Sequence, residues 1–117
     1  MASYKYGVFG KYEFYRIFGT PVKQLLLRFF AEKQNQRLNV LEIQKATDLP
    51  GSSVSVALAE LEEEGVVDSA KEGKFKYYTL NKKVAEELSD IFQKLDSVYQ
   101  IALKTKKKRE NETQKDG

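Results

Sequence analysis

Apolar residues recur at helical spacing in four stretches of the chain and crowd into two short strand-like runs between the third and the last. Val22, Leu25, Leu26, Phe29 and Phe30 fall on one side of a helix opened by Thr20 as N-cap and Pro21 in its first turn. Lys23, Arg28, Lys33 and Arg37 lie off or beyond that stripe, and Gln34 to Arg37 reads as a polar loop. Asn39-Val-Leu-Glu42 has the spacing of a capping box. It opens a second helix running to about Ala46, with Leu41, Ile43 and Ala46 as candidates for burial. Asp48-Leu-Pro-Gly51 breaks that helix, Leu49 plugging the turn, and Gly51 or Ser52 caps a third. In the third helix Val54, Leu58 and Leu61 form the buried stripe, while Ser53, Ser55, Val56 and Ala59 point elsewhere. Gly65 follows Glu62-Glu-Glu64 as a helix-ending residue.

Two strand-like runs come next, Val66 to Lys71 and Lys74 to Leu80, around a Glu72-Gly73 turn. Lys74, Lys76 and Tyr78 share one face of the second run, and Phe75, Tyr77 and Thr79 the other. Asn81 caps a long final helix whose apolar positions Val84, Leu88, Ile91, Leu95, Val98 and Ala102 alternate in steps of four and three, widened by Phe92 and Tyr99. That seam is longer than a domain of this size needs for its own packing. It predicts dimerisation through Val84, Leu88, Ile91, Phe92, Leu95, Val98 and Tyr99.

At the other end, residues 1–19 hold seven of the 14 aromatic residues, Tyr4, Tyr6, Phe9, Tyr12, Phe14, Tyr15 and Phe18. Their spacing fits neither strand nor helix cleanly, and they are expected to pack on the domain or on a dimer partner. The expected organisation is therefore an aromatic segment 1–19, a core domain 20–83, a dimerisation helix 84–103 and a basic disordered tail 104–117. The fold class is mainly α with one small β-hairpin.

Composition removes whole classes of chemistry. The 117 residues include neither Cys nor His. Thiolate nucleophiles, Ser-His and Cys-His machinery and the usual zinc, haem and iron–sulfur ligand sets are therefore excluded. No carboxylate pair stands out from helix surface charge, so the chain does not read as an enzyme, and no cofactor or metal is expected. The start lacks the apolar stretch of a secretory signal and no run approaches the length of a membrane span, so the expectation is a cytoplasmic protein with no membrane partner.

The net charge of +3 conceals blocks of opposite sign. Residues 1–45 are net +5, 46–70 net −6, 71–83 net +4, 84–103 net −3 and 104–117 net +3. Local fields rather than the total steer a polyanion.

A helix-turn-helix followed at once by a hairpin is the winged-helix order, which suits duplex DNA. The third helix, near residues 52–64, would enter the major groove, and the wing, residues 71–76, would reach backbone or minor groove. The stretch from Phe18 to Lys83 resembles ArsR-type winged-helix transcription regulators, and more loosely the MarR and PadR groups. The resemblance rests on Ile17-Phe-Gly-Thr-Pro-Val-Lys23 with Leu26, on Leu41-Glu-Ile43, and on Leu49-Pro-Gly-Ser-Ser-Val-Ser55 with Leu58 and Leu61. It continues through Glu64-Gly-Val-Val67 and Glu72-Gly-Lys-Phe-Lys-Tyr-Tyr-Thr-Leu-Asn81. It implies a regulator of transcription that dimerises through terminal helices and sits with the nucleoid when bound. The Cys and His clusters of the family's metal sensors have no counterpart here.

The residues expected at DNA are Lys45, Ser52, Ser53, Ser55, Val56, Ala59, Lys71, Lys74 and Lys76, with Lys23, Arg28 and the basic tail as further phosphate contacts. No bidentate arginine–guanine contact is available from the third helix. Its acidic end, Glu60 and Glu62 to Glu64, is expected to repel phosphate, so only the N-terminal turn can insert. The same acidity motivates an alternative, a winged-helix protein-interaction or architectural module without strong sequence specificity. An effector pocket built from the aromatics of residues 4–18 and Tyr99 has plain packing as its simpler explanation.

Overall fold

The computed structural model describes residues 12–33 and 36–116. Tyr4, Tyr6 and Phe9, and with them most of the aromatic segment, lie outside the described residues.

The chain begins with a short helix α1 (Tyr12–Phe18), which settles the choice between strand and helix for this stretch. Gly19 closes it: its N–H donates to Tyr15 O at 2.8 Å, and a Cβ there would stand 2.2 Å from the same oxygen. Helix α2 (Pro21–Glu32) then starts with Thr20 as N-cap, its hydroxyl accepting from Lys23 N. Leu26, Leu27 and Phe30 are buried, whereas Leu25, expected in the stripe, is exposed. The stripe is thus rotated by part of a turn, and Lys23, expected outside it, is buried instead.

Leu38 is a small strand in itself. Its N–H and C=O exchange hydrogen bonds with Tyr78 at 3.0 and 2.8 Å, adding an edge to the hairpin. The capping box forms as the spacing predicts: Asn39 Oδ1 accepts from Glu42 N, and Glu42 Oε1 accepts from Asn39 N. Helix α3 (Val40–Thr47) buries Ile43 and leaves Leu41 and Ala46 exposed. Asp48 ends it in the left-handed region at φ 63°, a conformation that Asp tolerates.

Helix α4 (Gly51–Glu63) has Pro50 as N-cap, not Gly51 or Ser52, and buries Val54, Ala57, Leu58 and Leu61. Its end is a Schellman motif: Val66 N donates to Leu61 O and Gly65 N to Glu62 O, with Gly65 at φ 79°. Strands β1 (Val67–Glu72) and β2 (Phe75–Leu80) pair antiparallel with Glu72 opposite Phe75, so the turn is Gly73-Lys74, one residue later than Glu72-Gly73. Gly73 supplies the positive φ, 62°. Tyr78 and Leu80 face the core, on the side they share with Lys76.

Asn81 caps helix α5 (Lys82–Asp116), its Oδ1 accepting from Lys83 N and Val84 N. The expected disordered tail is instead a continuation of this helix. Lys, Arg, Glu and Gln are strong helix formers, and extending a formed helix costs far less than nucleating one. One core, centred on Leu26, Leu27, Phe30, Ile43, Val54, Leu58 and Leu61, joins α2, α3 and α4 and extends to Leu80, Ala85 and Leu88.

Candidate nucleic-acid interface

Burying Val54, Ala57, Leu58 and Leu61 fixes which face of α4 meets solvent. Ser52, Ser55, Val56 and Ala59, spaced three, one and three apart, share the outward face, and Val56 is 60% exposed. Ser53 is half-buried and lines, together with Ser52 and Val56, an open cleft of about 540 Å³ between α4 and the Tyr15–Lys23 segment. The first intrahelical bond is Val54 N to Pro50 O. The N–H groups of Gly51, Ser52 and Ser53 precede it and emerge at the positive end of the helix dipole.

The acidic half of α4 is held by cations from elsewhere in the fold. Lys23, only 4% exposed, donates through Nζ to Glu60 Oε2 at 2.9 Å. Arg16 donates through Nε to Glu64 Oε1 at 2.7 Å and through Nη2 to Glu63 Oε2 at 2.9 Å. Glu62 accepts from the Ser69 hydroxyl and faces Lys76 Nζ at 3.4 Å. The Lys23 bond holds the Glu60 carboxyl below its usual range, and the Ser69 bond, with help from Lys76, does the same for Glu62. Each of the four carboxylates thus has a partner within the chain, although they share three cations and Glu63 stays largely exposed.

Several of the cations expected at DNA have partners within the chain. Lys23 is committed to Glu60. Arg28 makes a two-pronged pair with Asp96 on α5, Nη1 to Oδ1 at 2.8 Å and Nη2 to Oδ2 at 2.6 Å. On the wing, Lys76 leans on Glu62 and over the Tyr78 ring, and proximity to Tyr78 and then Glu62 raises its pKa. Lys71 lies directly across the ladder from Lys76, and Lys74 sits in the turn; both are exposed. Lys45 is exposed in the last turn of α3. Arg37 pairs with Glu72 at 2.7 Å and covers the Tyr77 ring, bracing the wing from the loop before α3.

The residues expected at a dimer contact divide. Leu88, at 3% exposure, belongs to the chain's own core, and Val84 and Phe92 pack against it. Leu88 is therefore corrected from a dimer contact to a core residue. Ile91 (46%), Leu95 (52%), Val98 (62%) and Tyr99 stay exposed. Sequence reasoning missed the neutralising roles of Arg16 and Lys23, because their partners lie 37 to 48 residues away with no periodic signal.

The IclR helix-turn-helix domain model matches residues 25–70. No curated protein matches the chain. Among solved structures, the transcriptional regulator HlyU from Vibrio vulnificus CMCP6 is 29% identical, with 62% of this chain and 75% of that chain covered and a TM-score of 0.52. Reduced HlyU from Vibrio cholerae N16961 is 22% identical, covering 71% and 84%, at 0.58. A homodimeric winged helix-turn-helix DNA-binding domain from Mycobacterium bovis, described as a possible ArsR-family regulator, is 21% identical, covering 74% and 82%, at 0.62. These likenesses and the element order define the class: a winged helix-turn-helix domain with a long C-terminal helix. The described residues include no helix long and apolar enough to cross a membrane.

Proposed function

We propose that the chain is a transcriptional regulator that binds double-stranded DNA as a homodimer. The observation that carries this reading is the division of α4. Its outward face offers Ser52, Ser55, Val56 and Ala59 beside the N–H groups of a helix start, while Arg16, Lys23 and Lys76 offset most of the charge of its acidic end. Serine hydroxyls suit base edges or phosphate, and Val56 and Ala59 suit a thymine methyl. Lys45 flanks the helix. Lys71 and Lys74 carry the wing to the backbone or minor groove, and Lys76 contributes less because Glu62 shares it. Affinity then comes mainly from phosphate contacts and is strongly salt-dependent, with modest sequence selectivity. The regulator HlyU and the homodimeric DNA-binding domain from Mycobacterium bovis support both halves of this reading.

Fluorescence anisotropy on labelled duplexes across a salt series tests it. Binding should weaken steeply as salt rises, and Lys71→Glu with Lys74→Glu should weaken it on every duplex and flatten the salt slope. An absence of binding at low salt would refute the reading. The acidity of α4 that motivates the protein-interaction alternative is in large part offset within the fold, with Glu63 left mostly exposed.

A further inference from the structure

The outward face of α4 lacks a side chain that can pair with a base edge at two points. Ser52, Ser55, Val56 and Ala59 offer single hydroxyls and methyl groups, which discriminate weakly between base pairs. The two-pronged group beside that face comes from the preceding helix. Gln44 stands in the middle of α3, one residue after the buried Ile43, and is exposed. Its carboxamide lies across the first residue of α4: a Cβ on Gly51 would stand 2.9 Å from Gln44 Oε1, 3.5 Å from Cδ and 3.9 Å from Nε2. Ser52, the first exposed residue of α4, is the next residue along.

Both sides of this contact suit the reading of a base. A glutamine carboxamide holds an acceptor and two donors in one plane, which match the N6 amino group and N7 of adenine in the major groove. Gly51, for its part, is not a glycine for the sake of its backbone. Among the described glycines only Gly65 and Gly73 take positive φ, and glycine is a poor helix former. What Gly51 supplies is space, and the atoms that use the space are those of the Gln44 carboxamide.

We propose that Gln44 is a specificity-determining residue that reads an adenine beside the start of α4, the adenine N6–H donating to Gln44 Oε1 and Gln44 Nε2–H donating to N7. Gly51 is the opening that lets the carboxamide lie there. This rests on the DNA-binding reading of the proposed function and adds to it a base type and the side chain that selects it. The strongest discrimination then comes from α3, while the exposed lysines hold phosphate without regard to sequence.

Selection of duplexes from a random pool, run side by side on the full-length wild type, Gln44→Ala and Gly51→Ala, tests the proposal. The wild type should enrich an A·T pair that Gln44→Ala no longer enriches, with preferences at the other positions unchanged. On the enriched duplex Gln44→Ala should bind about tenfold more weakly than wild type, and on a duplex with G·C at that position equally well. The salt slope should stay the same, because no charge is removed. In Gly51→Ala the carboxamide, the flexible end of a side chain, must move aside, so the same preference should be lost while the melting temperature holds. Equal weakening of Gln44→Ala on every duplex, or an unchanged preference for the A·T pair, would overturn the proposal and leave DNA binding standing. So would a wild type that binds duplexes but enriches no A·T pair. Wild-type selectivity in Gly51→Ala would overturn the role of Gly51. A wild type that binds no duplex at low salt would overturn the DNA-binding reading and this proposal together.

Discussion

Lys23 shows how one side chain can change the meaning of a whole helix. Its position among the apolar residues of α2 buries its stem, and its ammonium can only be satisfied by Glu60 across the α2–α4 contact. Removing one partner of such a pair leaves the other poorly compensated. Because Glu60 keeps partial access to water, Lys23→Ala is expected to cost about 1–3 kcal/mol, less than a fully buried pair. A chemical-denaturation midpoint measures it. DNA affinity of the folded variant should fall too, since Glu60 then faces phosphate unneutralised. Leu88 and Leu95 make a second contrast at this scale. Both occupy the heptad seam, but only Leu88 is inside the core. Leu88→Asp should unfold the chain through a buried unpaired charge, whereas Leu95→Asp should leave the fold intact and dissociate the dimer. Circular dichroism with sedimentation separates the two outcomes.

At the scale of elements, the ends of helices were the most legible features. Thr20, Asn39, Gly65 and Asn81 all take the capping roles that their local sequence assigns. Capping depends on atoms within three or four residues, so it survives the loss of tertiary information. Gly65→Ala is expected to destabilise by about 1 kcal/mol, from backbone conformation alone, since nothing stands within 4 Å of an added Cβ. A thermal melt of the variant checks it. The faces of the helices were less legible. Leu25, Leu41 and Ala46 satisfy a helical pattern but stay exposed, while Leu27 is buried, because a period of 3.6 leaves the angular origin of a short helix undetermined. The hairpin turn slipped by one residue for a similar reason: Glu72 can end a strand or open a turn, and pairing to Phe75 decides.

For the whole molecule, the ion pairs form a belt around the core. Arg16 and Lys23 tie the first two helices to α4, Arg28 ties α2 to α5, and Lys76 ties the wing to α4. The carboxyls of Glu60, Glu62 and Asp96 are held below their ordinary values by their hydrogen-bond partners, Lys23, Ser69 and Arg28 respectively. A lowered folded-state pKa contributes stability that is complete above the unfolded value and is lost as pH falls through the folded one. Stability should therefore hold down to about pH 5 and decline below the ordinary glutamate range, near pH 4.3. Melting temperatures measured from pH 7 to pH 3 give the profile. A stability independent of pH over that range would contradict the belt.

By itself, the sequence determined the order of elements from Pro21 onward, the caps at Thr20, Asn39, Gly65 and Asn81, the winged-helix class and the absence of cysteine and histidine chemistry, because each depends on neighbouring residues or on composition. Tertiary structure alone decided which face of α4 is presented and what becomes of its charge. Arg16, Lys23 and Lys76 reach the acidic end of α4 from three other elements, and ionic partners that far apart leave no periodicity to read. The long seam of α5 was visible from residue 84 onward. Only packing against α2 could show that it ends its service to the core near Phe92 and presents Ile91, Leu95 and Val98 outward, since a heptad repeat records which residues seek a partner and not which partner they meet.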